Sequence, residues 1–356
     1  MIALVDFTCT RIDSHSGDSL IRFQEKILKF LDLETVIVVP KSDLFTPSYP
    51  MLTIHTPYAK ILAGKRDQLS ILGFIRSIFI TGFENFRVLR REDCQGLAFP
   101  QIDPGSLVSI LILAKIYKKK KFFIRYIGWA EFWAPNSQKV LPYLAKELKK
   151  MENISLASET KALSNFLEVS TIEVPYPIEI IQQSGRVLNY LLMIGSPRLE
   201  KGYDKLTTIA QQLKESGSKT VLLVQETLSL DGRYKAIQNE LRAFDNVQIL
   251  PPFIARPQLN RYIDESFGVL LPYSKSSYRL RGSAALYEAI ERSKIVFAFA
   301  WCGFEDQIID FNLGAVLSNE FDLAPTLRGY KRLNTPMHHF SEFASYTRNQ
   351  LSLWLK

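Results

Sequence analysis

The chain has 356 residues, which is more than one hydrophobic core usually organises, so two domains are expected. Its composition, 47% hydrophobic and 22% charged, excludes an intrinsically disordered protein. The net charge of +8 favours anionic partners such as phosphates or acidic lipid. No nucleic-acid motif accompanies the charge, so nucleic acid is not expected as a partner.

The cysteines and the apolar segments predict where the protein works. Cys9, Cys94 and Cys302 are far apart and lack metal-ligand spacing, which is typical of reduced thiols in the cytosol. A buried strand directly after Met1 leaves no room for a signal peptide. The longest apolar run, residues 107–117, is too short to span a bilayer. We therefore expect a cytoplasmic protein whose membrane contact, if any, is peripheral and at the inner face of the membrane.

The first half alternates between apolar strands and amphipathic helices. Strands are predicted at residues 2–7, 35–40, 122–128, 154–158 and 170–180, with weaker candidates at 86–90 and 97–100. Helices are predicted at residues 18–31, 68–80, 103–117 and 159–167. Residues 41–60 are rich in proline and are interpreted as a long irregular connection.

The second half repeats the alternation. Strands are predicted at residues 189–195, 220–225, 246–252, 268–273, 294–300 and 314–318. Helices are predicted at residues 205–217, 232–244, from 258, from 283, and at 338–356 as a terminal helix. Strands that alternate with helices indicate a doubly wound parallel sheet, so the fold class is α/β with one such sheet in each half.

One strand–loop–helix segment, residues 270–306, carries the chemistry. An apolar strand ends in a polar loop with two arginines and Gly282, and a helix then starts near Ser283. The free N–H groups and the partial positive charge of a helix start bind phosphates, and Gly282 lets a ligand approach the backbone. Glu288, about one and a half turns into the helix, is placed to accept hydrogen bonds from ribose hydroxyls.

Several second-half segments, in order, resemble the donor-binding domain of GT-B glycosyltransferases, in particular the bacterial retaining nucleotide-sugar family (glycosyl transferases group 1). They are LLMIGSPRLEKGYDKL, NVQILPPFIARPQLNRYIDESFGVLLPYS, YEAIERSKIVFAF and GFEDQIIDFNLGAVLS. The resemblance implies the GT-B fold, with two Rossmann-like doubly wound domains facing a central cleft. It implies an acceptor domain at 1–180, a nucleotide-sugar donor domain at 181–336, and a helix at 337–356 that packs back toward the first domain.

The same resemblance assigns roles in the donor domain. Lys201 matches a lysine that grips the donor diphosphate, and Glu288 matches a glutamate that holds the ribose. Ser196 stands where the family has a phosphate-binding arginine, which Arg198 is expected to replace. Glu288 corresponds to the second glutamate of a pair in the family, and Leu280, eight residues earlier, stands where the family has the first, which faces the sugar. The predicted catalytic residues are Arg281, Lys201 and Arg198, and the predicted donor-binding residues are Gly195, Ser196, Arg198, Lys201, Arg279, Arg281, Gly282, Ser283 and Glu288.

The acceptor side is predicted in the first half. In the family the loop after the strand at 122–128 faces the acceptor, so Arg125, Trp129 and Glu131 are candidates to line the cleft. Gly17, in the loop after the first strand, is primarily a turn glycine and secondarily a position that lets donor or acceptor approach. An alternative for the aromatic residues is that they cover the core.

The reaction implied is metal-independent transfer of a sugar from a nucleotide-diphosphate sugar to a hydroxyl of a glycan or glycolipid, in cell-surface glycan synthesis. No cofactor is expected beyond the donor substrate, and no metal, because cationic side chains would neutralise the leaving group. Residues 118–121, four lysines, are interpreted as a solvated helix end or as a contact with anionic membrane. Two rival functions remain: a nucleotide-sugar epimerase, and a binding or scaffold subunit without turnover, which Leu280 favours.

Overall fold

The computed structural model describes the chain except residues 8, 10–14, 41–52, 57–70, 128–136, 182–185 and 331–336. The chain divides by its internal packing into two units. Unit 1 comprises Met1–Pro177 together with Thr347–Lys356, and unit 2 comprises Ile178–Tyr346.

Unit 1 is built on a parallel sheet. Its strands are β1 (Ile2–Val5), β2 (Thr35–Pro40), β3 (Thr53–Thr56), β4 (Gly96–Phe99), β5 (Lys121–Tyr126), β6 (Ile154–Ser158) and β7 (Ile172–Glu173). Its helices are α1 (His15–Leu31), α2 (Ile71–Leu89), α3 (Pro104–Ile116), α4 (Ser137–Lys149) and α5 (Lys161–Leu167). The strand order is β3-β2-β1-β4-β5-β6-β7 and every pairing is parallel. The central strands are buried throughout, as continuous apolar runs covered on both faces require.

Unit 2 repeats this plan with a six-stranded parallel sheet. Its strands are β8 (Tyr190–Met193), β9 (Val221–Gln225), β10 (Val247–Leu250), β11 (Gly268–Leu271), β12 (Ile295–Phe299) and β13 (Gly314–Leu317). Its helices are α6 (Leu206–Glu215), α7 (Gly232–Arg242), α8 (Arg256–Glu265), α9 (Lys275–Tyr278), α10 (Ala284–Glu291), α11 (Glu305–Asp310) and α12 (Leu323–Tyr330). The order is β10-β9-β8-β11-β12-β13. In both sheets the chain winds outward from the first strand, returns, and continues on its other side, which is the doubly wound arrangement.

The last helix, α13 (Met337–Trp354), ends against the core of unit 1. The ring of Trp354 meets Phe23 edge-on with the centroids 6.1 Å apart, and it meets Phe123 at 6.3 Å. A buried tryptophan contributes a large apolar area, so the end of the chain is part of this core.

The structure corrects several local predictions. Residues 86–89, within one weak strand candidate, belong to helix α2, and α1 starts at His15 instead of residue 18, so Gly17 lies in a helical turn. Strand β3 lies within the stretch predicted as irregular, and α4, α9, α11 and α12 were not predicted. Among the described residues, no helix is long and apolar enough to cross a membrane.

Candidate functional site

Two loops of unit 2 are neighbours because β8 and β11 are adjacent in its sheet. In a doubly wound sheet the connections that follow two such strands run to opposite faces of the sheet, which opens a crevice at the carboxyl ends of the strands. The loop after β8 and the loop after β11 hold all the predicted donor-side residues except Glu288. They are Gly195, Ser196, Arg198, Lys201, Arg279, Arg281, Gly282 and Ser283. The topology therefore brings together, at one edge of the sheet, residues that are up to 88 positions apart in the chain.

The two loops are joined through their backbones. The amide of Ser274 donates to the carbonyl oxygen of Glu200 at 2.9 Å. Gly202 has a φ of +77°, and a Cβ at this position would collide with the carbonyl oxygen of Pro272. The conformation and the close approach both require glycine, so this residue fixes how near the loops lie.

Lys201 is the cation at the centre of the first loop. Its Nζ lies 2.8 Å from where a Cβ on Gly195 would be, so the ammonium group rests against this glycine. Burial lowers the pKa of Lys201, and the charge of Arg198 lowers it further, against the opposing effect of Glu200 and Glu288. Within the described part of the chain the ammonium has no hydrogen bond and no ion pair. A cation that is partly removed from water and makes no hydrogen bond or ion pair is suited to receive an anion.

Arg198 is more exposed, at the start of the 3₁₀ turn Leu199–Lys201. Its Nη1 pairs with Glu200 Oε1 at 3.2 Å. An exposed ion pair of this kind is worth little, about 0–1 kcal/mol, so a phosphate could replace Glu200 as the partner of the guanidinium. Ser196, where the family has an arginine, is exposed.

Glu288 lies on α10, whose start follows the second loop. Its Oε1 accepts from Nη1 of Arg256 at 2.8 Å, and its side chain is 19% exposed. Arg256 is the first residue of α8, and nothing in the sequence pattern indicated its role. The pair holds the Glu288 carboxylate in place and leaves the second carboxylate oxygen for another donor.

The start of α10 is held by two aromatic residues, the buried Tyr273 and the partly buried Trp301. Ser283 caps the helix by accepting from the amide of Leu286 at 3.4 Å, and its Oγ lies 3.2 Å from the hydroxyl of Tyr273. Trp301 Nε1 donates to the Tyr273 carbonyl at 2.7 Å. Burial raises the pKa of Tyr273 well above its usual range, so this hydroxyl stays protonated. The predicted phosphate-binding helix start is thus fixed in position.

Leu280 points into the protein and is 5% exposed. The next turn of the chain, after β12, packs against the same stretch: a Cβ on Gly303 would lie 2.7 Å from the carbonyl carbon of Leu280 and 2.9 Å from the amide nitrogen of Arg281. The amide of Gly303 donates to the carbonyl of Tyr278 at 2.8 Å. A buried leucine therefore occupies the position where the resemblance leads one to expect a carboxylate.

The two arginines beside Leu280 differ. Arg279 is exposed, while Arg281 is partly buried and its guanidinium lies over the ring of Tyr278, 5.7 Å from the centroid. A cation held over an aromatic face is partly desolvated and oriented, which suits it to a charged ligand. Their roles in binding the donor stay predictions.

A carboxyl group that the sequence analysis did not single out lies close by. Glu305 begins α11, two residues after Gly303. Burial raises its pKa, and the charge of Asp306 raises it further. A carboxyl with a raised pKa at the carboxyl edge of a sheet is a candidate for proton transfer.

Of the predicted acceptor-side residues outside helix α1, the structure describes only Arg125, which lies inside unit 1. Arg125 is 4% exposed, and its guanidinium donates to the carbonyls of Val174 at 2.6 Å and Pro100 at 3.0 Å and to Glu159 at 3.3 Å. This set of partners gives Arg125 a structural role, because its three nitrogens are engaged inside the unit. Trp129 and Glu131 lie outside the described residues.

For the residues with described placement, no group of three or more histidine, cysteine, aspartate or glutamate side chains has the arrangement of a metal site. No family model matches the chain, and no curated protein matches it.

Solved structures do match, over almost the whole chain. WaaG, a glycosyltransferase involved in lipopolysaccharide biosynthesis, aligns with a TM-score of 0.57 and 14% identity, covering 100% of this chain and 98% of WaaG. AviGT4, a glycosyltransferase involved in avilamycin A biosynthesis, aligns with a TM-score of 0.60 and 12% identity, covering 99% and 95%. A UDP-forming α,α-trehalose-phosphate synthase from Burkholderia xenovorans aligns with a TM-score of 0.56 and 13% identity, covering 99% and 96%.

These neighbours have the GT-B fold, and the chain shares it, which confirms the predicted fold class. At such low identity the likeness establishes the fold and leaves the reaction to be argued from the site.

Proposed function

We propose that this GT-B chain is a glycosyltransferase that moves a sugar from a nucleotide-diphosphate sugar to a hydroxyl acceptor, in the synthesis of a cell-surface glycan or glycolipid. The observation that supports it most is the Lys201 ammonium. This cation is partly buried, lacks a partner among the described residues and rests on Gly195 at the switch point of the second sheet.

The chemistry needs a stabilised leaving group. The acceptor oxygen forms a bond to the anomeric carbon, the bond from that carbon to the diphosphate breaks, and the nucleoside diphosphate departs with the electron pair. The proton of the acceptor hydroxyl passes to an oxygen of the departing diphosphate. Lys201, Arg198, Arg281 and the helix start at Ser283 would neutralise the growing negative charge. Each such donor typically contributes on the order of 2.7–4 kcal/mol to lowering the barrier.

Glu288 is proposed to hold the ribose of the donor. Its carboxylate has one oxygen on Arg256, and the other is available to accept from a ribose hydroxyl. A carboxylate oxygen accepts a stronger hydrogen bond from a hydroxyl than a neutral acceptor does.

The reaction is proposed to proceed without metal, because the cationic side chains supply the charge that Mg²⁺ supplies elsewhere. Similar structures also fit the substrate class, since WaaG is a glycosyltransferase of lipopolysaccharide synthesis and the Burkholderia xenovorans protein is UDP-forming. Activity that survives an excess of EDTA supports metal independence, and activity that returns only with added Mg²⁺ contradicts it.

The test is calorimetric binding of UDP, GDP and dTDP and their sugars to the whole chain and to Lys201→Ala. We expect one nucleotide series to bind and Lys201→Ala to weaken it at least 100-fold, about 2.7 kcal/mol. Lys214→Ala is the matched control, because Lys214 is exposed and pairs with Asp245. Absence of binding by every nucleotide, or equal affinity for the Lys201→Ala chain, contradicts the proposal.

A second candidate is a binding or scaffold subunit without turnover. The buried Leu280 favours it, because the carboxylate expected beside the sugar is absent. This function predicts nucleotide binding that depends on Lys201 but no transfer to any acceptor, and no release of the sugar by hydrolysis. Incubation with a labelled donor sugar and analysis of the products separates it from a transferase.

A further inference from the structure

The turn after β12 lies against the loop that is proposed to bind the diphosphate. A Cβ on Gly303 would lie 2.9 Å from the amide nitrogen of Arg281, and the Gly303 amide donates to the Tyr278 carbonyl at 2.8 Å. Phe304 is fully buried, and its ring meets that of Tyr273 edge-on with the centroids 6.2 Å apart. The turn and the loop are therefore fixed against each other at the carboxyl edge of the sheet.

Glu305 follows this turn directly. Its amide donates to the carbonyl of Cys302 at 2.9 Å, where α11 begins, and its side chain is partly buried. In the part of the chain that the structure describes, the Glu305 carboxyl forms no hydrogen bond and no ion pair. The charge next to it is that of Asp306, which is also negative. A carboxyl group that has lost part of its water and gained no donor is an acceptor available to a ligand.

The order of the strands places this carboxyl group on one side of the diphosphate site. The sheet runs β10-β9-β8-β11-β12-β13. Glu288, the proposed ribose contact, is paired with Arg256, which follows β10, and the diphosphate is proposed to lie between the loops after β8 and β11. Glu305 follows β12, on the other side. Because the diphosphate of a sugar nucleotide separates the ribose from the sugar, the sugar is expected on the β12 side.

We propose that Glu305 binds a hydroxyl of the donor sugar and selects a neutral sugar over a uronate. This inference rests on the proposed function, because it concerns the sugar end of the same donor. Leu280 is buried and has no polar side-chain atom, so Glu305 supplies an acceptor at this end of the crevice. A carboxylate accepts a strong hydrogen bond from a hydroxyl. Together with Asp306 it repels the carboxylate of a uronate, and such repulsion of the wrong ligand is a source of specificity.

The experiment is calorimetry on the full chain and on Glu305→Gln. The ligands are UDP, UDP-glucose, UDP-galactose and UDP-glucuronate, or their GDP or dTDP counterparts if the chain binds that series. We expect both chains to bind the free diphosphate alike. Glu305→Gln should bind the tighter neutral sugar nucleotide about 10-fold more weakly, because a hydrogen bond to a charged group is lost. Its affinity for the glucuronate nucleotide should stay the same or rise, because a like charge is removed.

Two further variants separate the contact from a general effect of charge. Asp306→Asn is the matched control, because it removes the adjacent carboxylate of the same helix, and it should leave the affinity for the neutral sugar nucleotide nearly unchanged. Glu305→Asp keeps the charge but withdraws the carboxyl group by one methylene. It should weaken the neutral sugar nucleotide as Glu305→Gln does, yet still discriminate against the uronate. An unchanged affinity for the free diphosphate shows that each variant is folded.

The inference is overturned if Glu305→Gln binds the neutral sugar nucleotide as tightly as the unsubstituted chain does. It is also overturned if this variant weakens the neutral sugar nucleotide and the glucuronate nucleotide equally, or if Asp306→Asn causes the same loss. In each of these cases the proposed function stands, provided that binding of the diphosphate depends on Lys201. Absence of binding by every nucleotide contradicts the proposed function itself, and this inference with it.

Discussion

The sheets of the two units wind in the same order, but the cationic side chain inside each unit has different surroundings. One has hydrogen-bond partners and the other does not. In unit 1, Arg125 is buried and each of its three guanidinium nitrogens has a partner. In unit 2, Lys201 is partly buried, and the described residues offer it no hydrogen bond or ion pair. A buried cation with its partners in place supports the fold, whereas a cation without them is a place for a ligand. Both cations belong to units with the same doubly wound topology, so the topology does not separate their roles. The presence or absence of hydrogen-bond partners does.

The largest effect is expected when the satisfied cation is removed. Arg125→Ala leaves two buried carbonyls and Glu159 without their donor, so unfolding should become easier by about 3–5 kcal/mol. Urea unfolding of the whole chain, followed by circular dichroism, measures this. Arg233→Ala is the control, because the Arg233–Asp231 pair is exposed and its loss should leave the free energy of unfolding nearly unchanged. Equal destabilisation by both variants would mean that Arg125 is no structural anchor.

A third cation, Lys294, sharpens the comparison within unit 2. It lies at the amino end of β12, is buried, and donates to the carbonyl of Asp264 at 2.7 Å. Burial lowers the pKa of Lys294 from 10.5 to about 8. The negative charge of Asp264 opposes this shift, and the positive charge of Arg292 adds to it. Lys294 thus donates to a neutral carbonyl, while Lys201 has no hydrogen-bond partner among the described residues. The two lysines lie at opposite ends of the strands of one sheet.

This shift predicts a pH dependence of stability. Between pH 8 and 10.5 the unfolded chain holds a proton on Lys294 that the folded chain has lost, so the free energy of unfolding should rise with pH across this window. The gain is roughly 3 kcal/mol at most. Because buried tyrosines act in the opposite direction at high pH, the measurement is the difference between the unsubstituted chain and Lys294→Met. A difference that does not change across this window contradicts the shift.

The sequence predicted the sheets well because their strands are short apolar runs between clear turn residues. It failed where the local signal was mixed. Strand β3 has only four residues and lies in a proline-rich stretch, so it gave no strand pattern. Helix α4 was missed because Pro142 lies inside it, and an internal proline normally argues against a helix. Residues 86–89 have strand-forming residues, yet the burial of Val88 and Leu89 on the core side keeps them in α2.

The site was predictable only in part. Gly195 and Lys201 lie near each other in sequence, so a strand–loop pattern could place them together. The pair of Arg256 and Glu288 joins residues 32 positions apart, and the burial of Leu280 depends on Gly303 of another turn. Such contacts arise from tertiary packing, which no local pattern encodes.

The proposed contact between Glu288 and the ribose can be tested separately from Lys201. Glu288→Gln keeps the shape of the side chain but removes its charge, so affinity for a nucleoside diphosphate should fall by about 1.5 kcal/mol. The 2′,3′-dideoxy nucleotide should bind the two chains alike, because it lacks the hydroxyls. Calorimetry compares both ligands, with Glu265→Gln as the control, since Glu265 pairs with Arg261 and is similarly accessible. A loss that is equal for both ligands would place Glu288 away from the ribose.

The smallest effect should come from removing the unsatisfied cation. Lys201→Met removes a desolvated charge and retains an aliphatic side chain. The free energy of unfolding should therefore rise by about 0.5–1 kcal/mol, because residues selected for binding are often not optimal for stability. Urea unfolding without ligand measures it, and added nucleotide should then stabilise the unsubstituted chain but not the variant, because a ligand stabilises only the state that it binds. The opposite sign from Arg125→Ala is the decisive feature. If Lys201→Met destabilises the chain without ligand, the ammonium has a structural partner, and the contrast between the two units is lost.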